Sequence, residues 1–301
     1  MDQLERLRAL CPGADVRTGV RLDRYTTLRV GGPADYFCEP ETEEALSGLL
    51  AAAETLALPV LLMGNGSNLL VRDGGFRGLA IRLGRGLSRI ERTEGGLRAG
   101  AGALLSVLSR TAQEEALTGL EFAQGIPGSV GGGLYMNAGA YGGELGQVTE
   151  SVRVLSGGAV CCVPAGEMGF SYRHTRAMDE KWVILGADFR LEKGDPEAIA
   201  AAMQDYASRR REKQPLEYPS AGSFFKRPPG HFAGALIEQA GLKGCAVGGA
   251  QVSQKHAGFL INQGGATAGD FLRLMARVQD TVEARFGVRL EPEVRIVGSE
   301  G

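Results

Sequence analysis

Apolar and charged positions interleave along residues 4–10, 43–57 and 104–117, and each stretch predicts a helix. The second opens on Glu43 and Glu44, carboxylates that suit the positive end of a helix dipole. Short unbroken apolar runs lie between the helices. "PVLLM" (59–63) predicts a buried strand, "LAIRL" (79–83) more strand, and "WVILGADFRL" (182–191) another. "LRVGGPADYFCEP" (28–40) begins a strand and turn. Hairpins are expected around "TEGG" (93–96) and in "SVRVLSGGAVCCV" (151–163), which turns at Gly157-Gly158.

Past residue 192 the composition shifts. "DPEAIAAAMQDYASRRREKQP" (195–215) reads as a long helix with Asp195 as N-cap and Pro196 at the first helical position. Then come an opening loop, a short helix at 232–240, strand material in "AGFLIN" (257–262), a helix at 267–286 and a final strand in "VRLEPEVRIVG" (288–298). Thr267 and Asp270 have capping-box spacing, and Gly287 is a helix stop. The chain is α+β, without the strict βαβ alternation of a Rossmann domain. Its 301 residues exceed one small core, so two domains are expected, 1–195 and 196–301.

A net charge of −2 gives no basic excess for nucleic acid or a membrane surface. No apolar run approaches the ~20 residues that span a bilayer, and "MDQLERLRAL" lacks the apolar core of a signal peptide. Cys11, Cys38, Cys161, Cys162 and Cys245 show no disulfide or zinc spacing, and three scattered histidines suggest no metal. A cytoplasmic monomer is expected. Glycine is the outlier at 46 residues, clustered between apolar segments, where backbone takes positive φ or approaches a ligand closely.

Two glycine clusters stand out. "GNGSNLL" (64–70) follows a strand and offers consecutive backbone N–H groups for an anion. It is neither G-x-G-x-x-G, since Leu69 is sixth, nor a Walker loop, and a plain turn is an equal reading. "GIPGSVGGGLYMNAGAYG" (125–142) reads as long and irregular; nine of its eighteen residues are glycine or alanine, which leaves room for a flat or extended ligand. Its apolar residues, Ile126, Val130, Leu134, Tyr135 and Met136, do not fit a floppy linker. A third stretch, "SAGSFFKRPPG" (220–230), sets Ser223 before two aromatics, Lys226 and Arg227. Either it is a capped turn or a reactive hydroxyl beside an anion site.

These segments, with "LRVGGPA" (28–34), "FSYRHTR" (170–176), "AGLKG" (240–244), "GGAQVSQKHAGFLIN" (248–262) and "LEPEVRIVG" (290–298), run in one order along nearly the whole chain. In that order they resemble the UDP-N-acetylenolpyruvoylglucosamine reductases of peptidoglycan synthesis. The resemblance implies a vanillyl-alcohol-oxidase/PCMH-type FAD-binding domain of two α+β subdomains, followed by an α+β substrate-binding domain. It implies non-covalent FAD, NADPH as co-substrate, and reduction of an enolpyruvyl ether on a UDP-sugar to a lactyl ether. FAD contacts then fall on Gly64, Asn65, Gly66, Ser67 and Asn68, and on Gly125, Ile126, Pro127, Gly128, Ser129, Gly132, Gly133, Asn137, Gly139 and Ala140. Ser223 is implied as proton donor, with Arg173 and Glu293 as its catalytic partners. Tyr172, Lys226, Arg227, Lys243 and His256 are implied on the substrate.

On its residues alone Arg173 reads as a solvated arginine. Glu291 and Glu293, two apart on the expected strand, share one face, and only the resemblance chooses Glu293. Glu293 either holds the substrate carboxylate or orients a basic partner. His174 and His256 read as hydrogen-bonding residues rather than bases. The chain departs from some members, which carry asparagine after the lysine of the serine loop; here Arg227 and two prolines follow. "YRHTRAMDEKWVIL" leaves no room for the tyrosine-bearing loop of other members, so the shorter subtype is expected. Two rival readings stand: another FAD oxidoreductase of the same fold acting on an alcohol or sugar, and a non-catalytic nucleotide-binding protein.

Overall fold

A computed structural model describes residues 2–300. The chain does not divide at one point. One compact unit gathers the residues up to Arg17, Tyr36–Asn65 and Gly78–Arg209; the other gathers Thr18–Asp35, Gly66–Arg77 and the residues from Arg210 on. The single boundary expected at 195/196 therefore differs from the compact division, which falls inside the helix Pro196–Lys213 and returns twice to the N-terminal half. Composition could not show this, because short segments at 18–35 and 66–77 pack by contacts distant in sequence.

The first unit is built on a five-stranded antiparallel sheet, in the order Ala159–Pro164, Thr149–Ser156, Val183–Arg190, Gly96–Gly100, Ile90–Thr93. The predicted hairpin turn is present, with φ of 55° at Gly157 and 82° at Gly158, as a two-residue turn between right-twisted strands requires. Val60–Met63 pairs in parallel with residues 79–82. Helices Glu43–Thr55 and Leu105–Glu114 bury Leu46, Leu49, Ala52 and Ala53, and Leu105, Leu108 and Ala112. Each such leucine, fully buried, contributes about 1.5–3 kcal/mol over exposure. The helix Pro196–Lys213 opens as expected, with Glu197 N–H donating to Asp195 Oδ1 at 3.1 Å.

The stretch read as irregular between 125 and 142 contains a helix, Val130–Tyr135. Glycines disfavour helix by about 1 kcal/mol each, so tertiary contact must hold it. Ser129 caps it, Val130 and Gly131 N–H donate to the carbonyls of Ala103 and Ala101 at 2.7 and 2.9 Å, and a Cβ on Gly131 would lie 2.8 Å from Ala101 Cβ. Gly131 serves close packing instead of flexibility.

The second unit holds a four-stranded antiparallel sheet, Ser220–Ser223, Phe259–Asn262, Ala250–Val252, Ala246–Val247. Against it pack Ala233–Gln239 and Ala268–Phe286, the latter burying Phe271, Leu274, Val278 and Val282 along one stripe. Leu69–Val71 pairs in parallel with Arg295–Val297. The C-terminal strand is shorter than expected: Glu291–Val294 is irregular, joined to the sheet side only by a bridge from Pro292 to Phe225. "SAGS", read as loop, is a strand, because a bulge lets its non-alternating residues pair. Among the described residues no helix is long and apolar enough to cross a membrane.

Two carboxylates secure the N-terminus of Ala268–Phe286. Asp73 accepts from Ala268 and Gly269 N–H at 2.8 Å each. Asp270 accepts from Thr267 N–H at 2.9 Å, Gly249 N–H at 3.4 Å and Arg273 at 2.7 Å, completing the predicted capping box. Burial works to raise the Asp270 pKa, but those hydrogen bonds outweigh it and hold the carboxyl below its ordinary value. A depressed pKa gives stability that is fully present above the unfolded value of about 4 and is lost as pH falls through the folded one. Asp270→Asn is expected to cost about 1–2 kcal/mol at neutral pH. In urea denaturation the gap to wild type should narrow on acidification below about pH 4; a gap independent of pH overturns the assignment.

Candidate active site

The first unit brings Gly64 and Asn65 against the second glycine-rich segment. Asn65 Nδ2 donates to Pro127 O at 2.6 Å, and a Cβ on Gly64 would lie 2.0 Å from Ser129 Oγ. Glycine at 64 lets its backbone lie directly against the Ser129 side chain. Ser129 Oγ in turn accepts from Gly132 N–H at 3.4 Å. Among the described residues, none of the backbone N–H groups of Asn65, Gly66, Ser67 and Asn68 donates to a protein acceptor. The segment therefore offers a run of donors suited to an anion. Gly125, Ile126, Pro127, Gly128, Gly132, Gly139 and Ala140 are at least partly accessible, whereas Ser129, Gly133 and Asn137 are buried. A Cβ on Gly133 would lie 2.8 Å from both Leu105 and Leu145, so that glycine serves packing. Asn137 spends its side-chain amide inside the protein, donating to Ser171 O at 3.1 Å and accepting from Gly146 N–H at 2.9 Å.

Tyr172 and Arg173 form the tip of a tight turn. Ser171 and His174 face each other as an antiparallel bridge, with N–H to O distances of 3.0 and 3.2 Å. Arg173 has φ of 57°, in the left-handed region that glycine or asparagine ordinarily fills at such a corner. A side chain there costs about 1–3 kcal/mol in strain. Its guanidinium lies over the exposed Tyr172 ring, 4.9 Å from the centroid. Thr175, fully buried, donates to Tyr135 O at 3.0 Å just past the turn. His174 engages Asp179 at 3.0 Å, in keeping with its reading as a hydrogen-bonding residue.

The second unit presents Ser223. Its strand pairs Ser220 with Ile261 and Ser223 with Phe259, and the register slips between them. Gly222 sits at the slip with φ of 74°. Such a bulge re-aims the next side chain, and Ser223 is exposed while Phe224 and Phe225 are buried. Phe224 packs on Phe225 and Phe271 at centroid distances of 5.5 and 6.2 Å, so the aromatics anchor the serine as expected.

Main-chain bonds carry the C-terminal segment to this strand. Glu293 N–H donates to Phe224 O and Lys226 N–H to Glu291 O, both at 2.9 Å. Asn68 Nδ2 donates to Glu293 O at 3.1 Å, and Arg295 N–H to Asn68 O at 3.0 Å. Ser223, Glu293 and Asn68 thus belong to one cluster. Glu291 is exposed and pairs with Lys226 at 3.4 Å, so the two glutamates have different surroundings rather than a shared strand face. Arg227 stacks over Phe232 at 4.5 Å, and Lys243 pairs with Glu238 at 2.6 Å. His256 lies beside the serine strand: Phe224 N–H donates to Gly258 O at 2.9 Å, and Gly258 N–H to His256 Nδ1 at 3.1 Å.

Tyr141 closes the second glycine-rich segment and was not among the expected contacts. It has φ of 54° and stacks on Tyr206 with centroids 4.5 Å apart. An aromatic between glycines in "GAYG" was the available signal. Chemically, the segment from Asn65 to Asn68 offers an anion nest, the first unit a held arginine, and the second unit an exposed hydroxyl with nearby cations and carboxylates. Among the described residues no group of three metal-ligating side chains converges.

Residues 214–297 match the family model for the C-terminal domain of UDP-N-acetylenolpyruvoylglucosamine reductase, and residues 34–160 match that of an FAD binding domain. The chain is 46% identical over 301 residues to UDP-N-acetylenolpyruvoylglucosamine reductase of Clostridium novyi, covering 100% of this chain and 98% of the relative. It is 50% identical to UDP-N-acetylenolpyruvoylglucosamine reductase 2 of Symbiobacterium thermophilum over 98% of this chain and 96% of that one. The crystal structure of UDP-N-acetylenolpyruvylglucosamine reductase from Thermus caldophilus superposes with a TM-score of 0.83 at 37% identity, covering 95% of this chain and all of that one.

Burial pushes the His256 pKa below its ordinary value, and the positive charge of Lys243 acts the same way. His256 is therefore expected to be neutral at pH 7, serving its turn as a hydrogen-bond acceptor. Its imidazole NMR signals should titrate with a midpoint below about 6.5; a midpoint at or above that value overturns the reading.

Proposed function

This chain belongs to the UDP-N-acetylenolpyruvoylglucosamine reductase family, and on that premise we propose that it uses NADPH and bound FAD to reduce UDP-N-acetylglucosamine enolpyruvate to UDP-N-acetylmuramate. The observation that carries the reading is likeness over the whole chain, at 46% and 50% identity to two reductases. All five cysteines are free, as suits a reducing cytoplasm, where we place the reaction.

The residues present fit FAD. The close contact of Gly64 with Ser129 and the donor run from Asn65 to Asn68 form a cradle for a diphosphate. Gly64, Asn65, Gly66, Ser67 and Asn68 would hold that part, and the accessible backbone of 125–128, 132 and 139–140 the remainder. When bound, FAD supplies the hydride chemistry that the protein's own side chains lack.

The chain's residues manage charge and the proton. Hydride addition to the terminal alkene carbon leaves an enolate-like charge on the substrate carboxylate. Arg173 stabilises that charge, and its fixed turn means little reorganisation is needed as the charge develops. Ser223 Oγ then donates its proton to the carbon next to the carboxylate, and the double bond becomes a single bond. A serine is a weak acid; the enolate makes it competent, and Lys226, three residues on, can stabilise the alkoxide. Glu293 holds its end of the cluster through its backbone, and its carboxylate is assigned to orienting the substrate carboxylate. Tyr172, Arg227, Lys243 and His256 contribute to the UDP-sugar, with Arg227 and Lys243 meeting diphosphate charge by placement.

The purified protein is expected to be yellow and to oxidise NADPH beyond one equivalent of its flavin only when the enolpyruvyl nucleotide is supplied. Flavin without substrate-dependent oxidation would favour an oxidoreductase acting on an alcohol or a sugar, and a protein unable to take up FAD would sink the proposal. In Ser223→Ala, flavin reduction by NADPH should stay within a few-fold of wild type. Reoxidation by substrate should slow by about 10²–10⁴, the span of a general acid. Equal losses in both half-reactions would make Ser223 structural.

A further inference from the structure

The turn that carries Arg173 is strained at its tip, so something must hold it. We propose that Asn137 is the positioning residue for Arg173, acting through Ser171; this rests on the role given to Arg173 above. Asn137 is 0% exposed, and its own backbone takes φ of 43°, a conformation asparagine tolerates better than most side chains. Its Nδ2 donates to Ser171 O at 3.1 Å, the same carbonyl that closes the turn by accepting from His174 N–H at 3.2 Å. Its Oδ1 is fixed by Gly146 N–H at 2.9 Å, so the amide cannot turn away without stranding a buried donor. A Cβ on Gly146 would lie 2.8 Å from the Phe170 ring, so the residue preceding the turn is packed on the same spot. Thr175 ties the far side of the turn to Tyr135 O. The turn is thus fastened at both ends to the helix Val130–Tyr135 and the residues just after it, the segment that also packs against the Gly64 loop. Asn137 couples the placement of the cation to the glycine-rich segment without touching a ligand itself.

Two substitutions separate the clamp from the backbone. Asn137→Gly keeps the left-handed conformation and removes the amide. Asn137→Asp keeps the acceptor for Gly146 but sets a carboxylate against the Ser171 carbonyl, and its protonated form regains an O–H donor. Both are expected to retain FAD and to be reduced by NADPH at near wild-type rate. Reoxidation by the enolpyruvyl nucleotide should fall by about ten- to hundredfold, the usual consequence of an ångström-scale misplacement. The Asp variant should recover relative to wild type as pH falls, because a buried carboxyl facing a carbonyl has a raised pKa. In an Arg173→Ala background, Asn137→Gly should add little further loss. If Arg173→Ala slows reoxidation but Asn137→Gly is harmless or fully additive, or if the Asp variant shows no recovery, the clamp is overturned and Arg173 keeps its role. If Arg173→Ala has no effect, the role of Arg173 falls and this proposal falls with it.

Discussion

The approach of Gly64 to Ser129 joins the two glycine-rich segments. With 2.0 Å between a hypothetical Cβ and Ser129 Oγ, and 3.0 Å to Ser129 Cβ, a larger residue at 64 must displace the Ser129 side chain. That contact sets where the helix Val130–Tyr135 begins, because the same serine caps it. The helix in turn fixes Asn137 and Tyr135, and these hold the Arg173 turn. A chain of short contacts therefore runs from Gly64 to the Arg173 turn, each link a side-chain atom meeting backbone. Buried side chains tied to main chain in this way have little freedom, which is what preorganised charge stabilisation needs.

The second unit solves a different problem with similar means. A hydroxyl proposed as proton donor must be accessible yet held. The bulge at Gly222 turns Ser223 outward, while Phe224 and Phe225 sink into the core directly after it. The segment around Glu293 lacks regular strand structure, but Glu293 N–H donates to Phe224 O, Glu291 O accepts from Lys226 N–H, and the Glu293 carbonyl accepts from Asn68. One local irregularity exposes the hydroxyl, and main-chain bonds fix what surrounds it. Lys226 is near in sequence yet engaged with Glu291, so the role proposed for it at the alkoxide would require it to trade one partner for another.

Sequence pattern carried the regular elements well. The Asp195-Pro196 helix start, the Thr267/Asp270 capping box and the Gly157-Gly158 hairpin each rest on chemistry local to a few residues, and each is present. What pattern could not carry was anything decided at a distance. The helix at Val130 defies propensity because Ala101 and Ala103 accept its first N–H groups. The strand at Ser220 depends on a bulge opposite Phe259 and Ile261. The interleaved units depend on segments at 18–35 and 66–77 whose partners lie some two hundred residues away, as with Leu28 and Asn262. At the candidate site, the glycine loops and Ser223 were legible as odd compositions, whereas Asn137 reads as one more polar residue in a loop until its buried bonds are seen.

Arg173 shows why such residues escape a reading by type. An arginine in a polar segment is by default a solvated charge, and its neighbours offer no contrary sign. The structure supplies one, a φ of 57° at a corner where glycine would be free of strain. A glycine there would gain roughly 1–3 kcal/mol of relief, a large share of a protein's typical net stability of about 5–15 kcal/mol. Side chains that cost stability persist where their placement does something the fold itself does not need. The buried asparagine beneath the turn and the strain at its tip are then two halves of one arrangement. The first supplies the bonds that make the second tolerable, and together they hold a cation in one place.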